Sequence, residues 1–492
     1  MASNQPSQQD IQGLMMLMQA GKFAEAEKRC RKYIKQFPKV LGFYDVLSKA
    51  QISQEKFSGV VKTLEAALKV NPDFVDGEYN LGVAYMNINK LEKALNCFKN
   101  VTSKRPDFFE AYNNMGGCFI ELQRFDEGIE VYEKAVSIKP DFVPSLRNLG
   151  AALRDMGRVE EAEVILEKIP PLKPDFALGH LSLGVAKSEL SKLDEAIECF
   201  ENAIKLQPDM HAAHYELGKA YKEIGKLEEA LSSFEKVDNM IARVQVLETF
   251  HELERKKELL ERLPILNAKE PKNLRAAAFS AFASHQYGIE NSHGFCPNPI
   301  SFVSVQKIDA ENDDLNLLDN LMSAADELTT VWQHATTKGG TQTHGNLFDT
   351  QLENESFKQL EKIIRKQIRT YVDGFKDSDV GLIQSFPKQF SLRGWRVKLM
   401  KGGHQKAHIH SGGWLSGVFY LQVPKKMKSN EGAIAFSLHG YDYRVENEDI
   451  PSKEHTPLAG ELILFPSSLF HWTIPFDSDE ERQCIAFDVI PN

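Results

Sequence analysis

The chain has 492 residues, 42% hydrophobic and 26% charged, ordinary values for a globular protein with room for two or three domains. A net charge of −10 argues against a basic face for nucleic-acid phosphates. No apolar run of roughly 18 residues is present to predict a membrane span, and the start MASNQPSQQD lacks the basic-then-apolar order of a secretory signal. Six scattered cysteines without a CxxC pair read as reduced thiols in a cytoplasmic protein.

The first half is periodic. Pro38, Pro72, Pro106, Pro140, Pro174 and Pro208 recur every 34 residues. In phase with them run Leu81, Met115, Leu149, Leu183 and Leu217, each followed by glycine (Gly82, Gly116, Gly150, Gly184, Gly218). Small residues at Ala94, Gly128, Ala162, Ala196 and Ala230 are followed by Phe98, Tyr132, Leu166, Phe200 and Phe234. Small positions let two helices approach, the large ones fill the space between hairpins, and proline ends each second helix. The aspartate after five of the prolines (Asp73, Asp107, Asp141, Asp175, Asp209) is expected to cap the next helix.

The pattern resembles tetratricopeptide repeats, about seven units over residues 7–240. The resemblance implies an all-α superhelix whose groove binds a protein or peptide partner. Asn80, Asn114 and Asn148 share one repeat position, so three amides line up on successive first helices. Such a row could hold an extended peptide backbone, or bond within the array. It stops at Ser182 and Glu216.

Residues 241–293 stay helical but lose the period, and HELERKKELLERL is expected to be one helix in a polar terminal cap or linker. The texture changes near Phe295, and 9 of the 14 histidines lie from His293 onward. A second domain is therefore set at 294–492. It should open with a strand in ISFVSVQKI, a helix over 315–332, a polar loop TTKGGTQTHGNLF and a helix over 351–375. Strands are expected at 390–400, with Trp395, Val397 and Leu399 on one side and Arg396 and Lys398 on the other, then at 416–423, 433–438, 461–465 and 483–489. A turn is expected at Gly402-Gly403. Short strands with Gly and Pro turns suggest a jelly-roll barrel, making the whole an α + β multidomain chain.

His408 and His410 are two apart and share a face if extended. His471 comes later, and Arg482 opens the last strand. Two imidazoles with a third from elsewhere make a facial metal site with open positions, suited to iron. Arginine fits the far carboxylate of a 2-oxo acid in a bidentate manner, and the Tyr420 hydroxyl could help. His404, His439 and His455 read as loop or solvated residues. Trp395, Trp414 and Trp472 read as packing.

Here the chain resembles the 2-oxoglutarate and Fe(II)-dependent oxygenases. It carries His408-Ile-His410, Ser416-Gly-Val-Phe-Tyr420-Leu, Gly460, Phe465-Pro-Ser467, His471, Pro475, Arg482 and Ala486-Phe-Asp488 in the family's order. The resemblance implies a double-stranded β-helix with flanking helices. It also implies Fe(II) on His408 and His471, 2-oxoglutarate anchored by Arg482 with Tyr420 helping, O₂ as oxidant, and ascorbate as a possible addition. Most relatives have an acidic residue where this chain has His410. His410 replaces it as third ligand, or the site uses two protein ligands, or Asp442 approaches. The expected function is a hydroxylase, an oxidoreductase releasing succinate and CO₂, whose repeats bind a protein or peptide. The alternatives are a non-catalytic repeat scaffold and a three-His dioxygenase that needs no 2-oxo acid.

Overall fold

The computed structural model describes residues 6–308, 316–328, 330–331, 337–343, 345–348, 354–425 and 430–492. Helices follow one another from Gln8–Gln19 to Leu274–Tyr287, and strands begin at Ser304. Two compact units divide inside the helix Ala177–Glu189: residues 1–186 and 187–492.

In the first unit the repeat positions do what their sizes suggest. A Cβ at Gly82 would lie 2.6 Å from the Phe98 ring, and one at Gly116 or Gly150 would lie 2.5 Å from Tyr132 or Leu166. The second helices run up to the cap that precedes proline, as in Leu91–Lys104 with Arg105 as cap and then Pro106, except that Val159–Leu166 ends early at Glu167 and a short helix, Ile169–Leu172, leads to Pro174. The aspartates, however, do not cap. Phe74, Phe108 and Phe142 occupy the cap positions of the following helices without side-chain bonds. The Pro-Asp pairs lie in the preceding turn, closed by backbone bonds such as Phe74 N–H to Asn71 O (3.2 Å).

In the second unit Gly218 repeats the close approach, 2.6 Å from Phe234. HELERKKELLERL is not one helix: Met240–Glu252 and Lys256–Lys269 are separated by a turn in which Glu254 has φ 59°. The last helices bury one face and leave Lys256, Lys257, Glu261 and Arg262 exposed: residues 244–251 are buried in succession, and Phe279 and Phe282 share a core with Ile409, Tyr443 and Phe470 of the strand-bearing region.

That region holds two antiparallel sheets. The strands are β1 (Ser304–Lys307), β2 (Thr330–Val331), β3 (Thr337–Thr343), β4 (Phe390–Gln405), β5 (Leu415–Gln422), β6 (Ile434–Ser437), β7 (Ser452–His455), β8 (Glu461–Pro466), β9 (Phe470–Thr473) and β10 (Arg482–Pro491). One sheet runs β1-β8-β5-β10-β4-β3-β2 and the other β7-β6-β9. The two sheets fit the expected jelly roll. Helices Leu317–Asp326 and Glu355–Gly374 cover the outer face of the larger sheet. The side-chain period of two sorts the central strands. Phe419, Leu421, Ile485 and Phe487 meet the helices, whereas Val418, Tyr420, Cys484 and Ala486 face the interior with Phe436 and Phe465.

Several expected details differ. The loop TTKGGTQTHGNLF contains β3. Gly402-Gly403 lies within β4, opposite a register shift against β3, rather than at a turn. Residues 315, 329 and 332 of the expected 315–332 helix lie outside the described residues; its described core spans Leu317–Asp326. Arg396 is buried under the covering helix, which supplies Asp326, 2.6 Å from its guanidinium. The six cysteines form no disulfide. No helix among the described residues is long and apolar enough to cross a membrane.

Candidate metal centre

His408, His410 and His471 come together. One ring nitrogen from each lies within 4.8 Å of the others, and among the described residues this is the metal-competent group of His, Cys, Asp and Glu. The backbone explains the meeting. His471 lies in β9, and His408 faces it in an isolated bridge with reciprocal N–H···O bonds of 3.1 Å. His410 is outside any strand, held by its N–H on Ser467 O (3.0 Å). Ile409 and Phe470 turn the other way, into the helices' core, so the alternation sends the three imidazoles inward.

Each ring is oriented by its Nδ1. His408 Nδ1 donates to Lys406 O (2.7 Å), His471 Nδ1 to Leu469 O (3.1 Å) and His410 Nδ1 to Asp488 Oδ1 (2.6 Å). A proton committed to Nδ1 leaves each Nε2 with a lone pair, the form that binds metals. The Nε2 atoms of His408 and His410 stand 3.3 Å apart, two acceptors facing a shared point. This donor set fits a divalent transition metal with three imidazole ligands.

Sequence reasoning gave Asp488 no role, and it is the partner of His410. Ser416 donates to the same carboxylate oxygen (2.6 Å) and bonds Ser467 (2.8 Å). Gly413 makes room, since a Cβ there would lie 2.7 Å from Ser467 Oγ. A carboxylate behind an imidazole raises its basicity. Asp488 thus returns through His410 some of the negative charge lost with the acidic ligand. The signal was present: Asp488 shares the inner-face parity of Arg482, Cys484 and Ala486 on a strand buried along most of its length. Asp442 is not in the metal-competent group, and neither is His404, whose Nδ1 bonds Gly402 O.

Burial pushes the His408 imidazolium down to about 4, with His410 adding repulsion; His471, fully enclosed, is held well below its ordinary value for the same reasons. Both are therefore neutral near pH 7. Their folded values are depressed, so the unfolded state binds more protons between about 6.5 and 4. The stability of the metal-free protein should fall as pH drops through that window. In denaturant titrations at stepped pH, His408→Gln should flatten this part of the profile; an unchanged slope would contradict the burial of that ring.

Farther along the same inner face, Arg482 is 1% exposed. Its Nε donates to Gly432 O (3.0 Å) and its Nη2 to the Tyr420 hydroxyl (3.1 Å). Among the described residues no carboxylate pairs with it. A buried cation without a counter-charge is costly, and a bound anion would relieve it. Burial raises the Tyr420 phenol well above its ordinary value against the pull of Arg482, so it stays a neutral donor. The cavity joining these groups is lined by residues that include Trp395, Gln405, Val418, Ile434 and Trp472. Its free volume is about 10 Å³, room for one water, so lining side chains must move to admit a 2-oxo acid. Trp395 adds a buried indole N–H without a partner among the described residues. Trp414 packs as expected, its N–H on Leu382 O (2.9 Å). His439 and His455 are half-buried and each has a partner: one bonds Tyr443 O and the other Glu461, both at 2.8 Å.

The amide row is knitted internally. Asn148 donates to Asn113 (3.1 Å), Asn113 to Asn114 (3.3 Å) and Asn114 to the Tyr79 hydroxyl (3.0 Å). Asn80 is half-buried on the same helix as Tyr79.

Residues 393–488 match the family described as "Putative 2OG-Fe(II) oxygenase". Residues 79–141, 119–183 and 211–242 match families described as tetratricopeptide repeat, and 187–225 one described as TPR repeat. No curated protein matches the chain. Among solved structures, a tetratricopeptide repeat protein from Parabacteroides merdae ATCC 43184 is 17% identical, covering 48% of this chain and 96% of that one, with a TM-score of 0.40. YrrB, described as a TPR protein with an unusual peptide-binding site, is 21% identical over 37% of this chain and 96% of its own, with a TM-score of 0.33. MamA 41-end from Desulfovibrio magneticus RS-1 is 22% identical over 33% of this chain and 93% of its own, with a TM-score of 0.32. The chain therefore matches a fusion of tetratricopeptide repeats with a 2OG-Fe(II) oxygenase domain.

Proposed function

We propose that the protein is an Fe(II)- and 2-oxoglutarate-dependent oxygenase, a hydroxylase whose repeat array binds a protein or peptide. The observation that carries this reading is the pairing of three lone-pair Nε2 atoms with a buried arginine that no carboxylate among the described residues pairs with, both on one inner face. When bound, the iron, 2-oxoglutarate and O₂ supply the oxidising chemistry for a C–H bond.

The chain's own residues bind, orient and exclude water. His408, His410 and His471 present nitrogens in fixed tautomers, and Asp488 strengthens His410 as a donor. The Arg482 guanidinium and the Tyr420 O–H take the far carboxylate of the 2-oxo acid. Val418, Ile434, Ala486 and the two tryptophans wall off solvent. In the array, Asn80, Asn114 and Asn148 are the proposed peptide contacts; Asn114 and Asn148 would exchange an internal bond for one to the peptide backbone.

The test is succinate formation by purified protein with Fe(II), ascorbate, O₂ and 2-oxoglutarate. Slow succinate release, abolished by a chelator, is expected. Absence of both succinate and calorimetric 2-oxoglutarate binding would refute the reading. The narrowness of the cavity favours one rival, a repeat scaffold with an inactive barrel, and that outcome would support it.

A further inference from the structure

A tryptophan ordinarily buries its ring and gives its N–H a partner or water. Trp414 follows this rule through Leu382 O. Trp395 reverses it. The residue is only half-buried, yet its indole nitrogen is fully enclosed and has no hydrogen-bond partner among the described residues. The other buried polar atoms in that condition belong to residues that do not line the metal cavity; Trp395 does line it. An enclosed N–H is unfavourable unless a group bound beside it accepts its hydrogen bond.

Strand register sets this donor between the two halves of the site. Directly opposite residues of antiparallel strands share a face. Trp395 stands opposite Ala486, and Ala486 opposite Val418, so one inward row crosses β4, β10 and β5. The neighbouring row on one side holds Asp488, the partner of His410. The neighbouring row on the other side holds Tyr420, the partner of Arg482. The Trp395 ring packs on His410 itself, with ring centres 5.5 Å apart and planes at 54°. An acid that reaches from the imidazoles to Arg482 therefore passes the row on which Trp395 stands.

We infer that the Trp395 indole N–H is a binding donor for the 2-oxo acid, meeting it on the metal side of the Arg482–Tyr420 pair. The inference rests on the reading that this site takes a metal and a 2-oxo acid. It accounts for an enclosed donor that the fold leaves unpaired, and it gives the acid a neutral donor in addition to its cationic anchor.

The experiment uses the full chain loaded with Zn(II), a diamagnetic ion that accepts imidazole ligands, with nitrogen-15 in the tryptophan indoles. Trp395→Phe keeps an aromatic ring on His410, removes the donor, and identifies the Trp395 signal among four tryptophans by its loss. Trp395→Tyr identifies the same signal should the phenylalanine variant not fold. On addition of 2-oxoglutarate to the unmodified protein, that indole N–H signal should move downfield, as a proton entering a charge-assisted hydrogen bond does. In calorimetry the variant should bind 2-oxoglutarate about tenfold more weakly or worse. Its Zn(II) affinity should not show the roughly tenfold loss expected for a partner of a metal ligand. Both the shift and the weakened binding are required. If the unmodified protein binds 2-oxoglutarate while the indole signal stays in place, or while the variant binds equally well, the inference is overturned and the co-substrate reading stands. If the unmodified protein binds no 2-oxoglutarate, that reading falls and this inference with it.

Discussion

Replacing His471 with alanine is expected to abolish metal binding. The side chain is 4% exposed, its Nδ1 is committed to Leu469 O, and its ring packs at a tilt against Phe465, with ring centres 4.6 Å apart. It is also the one member that comes from a different sheet segment than the 408–410 pair. Without it, two imidazoles on a stretch lacking regular strand pairing remain, and two monodentate ligands are too few for a stable facial site. Outer-shell losses alone cost roughly 10- to 100-fold in affinity, so loss of the ligand itself should exceed a hundredfold. Calorimetric titration with Mn(II) or Co(II) measures it, and circular dichroism establishes that the variant is folded. Removing the ring opens a cavity worth about 2 kcal/mol, which a chain of this size can sustain. Affinity within tenfold of the unmodified protein would contradict the assigned role.

Arg482→Met should separate co-substrate from metal. Methionine fills most of the same volume and removes a buried charge that no carboxylate among the described residues balances, so stability should hold, against a loss of about 1 kcal/mol from the freed Gly432 carbonyl. Metal affinity should remain, because none of the three imidazoles bonds Arg482. Binding of 2-oxoglutarate should weaken by about 3 kcal/mol, on the order of a hundredfold, and succinate formation should vanish at moderate co-substrate concentrations. Parallel loss of metal and 2-oxo acid binding would show that Arg482 serves the fold rather than the co-substrate.

Much of this was legible before any coordinates. The repeat array declared itself because a packing rule returns at a fixed interval: glycine at 82, 116, 150 and 218 meets the large residue 16 positions later. The imidazole triad was legible because alternate residues of an extended chain share a face, and Arg482 because a charge on a buried strand demands a partner. What escaped lacked a local pattern. β3, with the sequence TKGGTQT, has no alternation of apolar and polar residues and is a strand because β4 and β2 supply its hydrogen bonds. Pro-Asp suggested a cap, yet the turn places phenylalanine there. Asp488 was hidden inside an apolar motif, and its meaning depends on a histidine 78 residues away. The partners of His439 and His455 were equally hidden, because Tyr443 O comes round in a turn and Glu461 stands on the next strand, β8. The apolar core that the last helices share with Ile409, Tyr443 and Phe470 escaped for a related reason, since no repeat pattern announces it.

The most direct test is a crystal structure of the protein grown with Mn(II) and 2-oxoglutarate, with anomalous scattering used to locate the ion. The expected result is one ion bonded to the Nε2 atoms of residues 408, 410 and 471, with the distal carboxylate of the 2-oxo acid on Arg482 and Tyr420. An ion bound elsewhere, or held without His471, or a 2-oxo acid whose far end avoids Arg482, would contradict the catalytic reading.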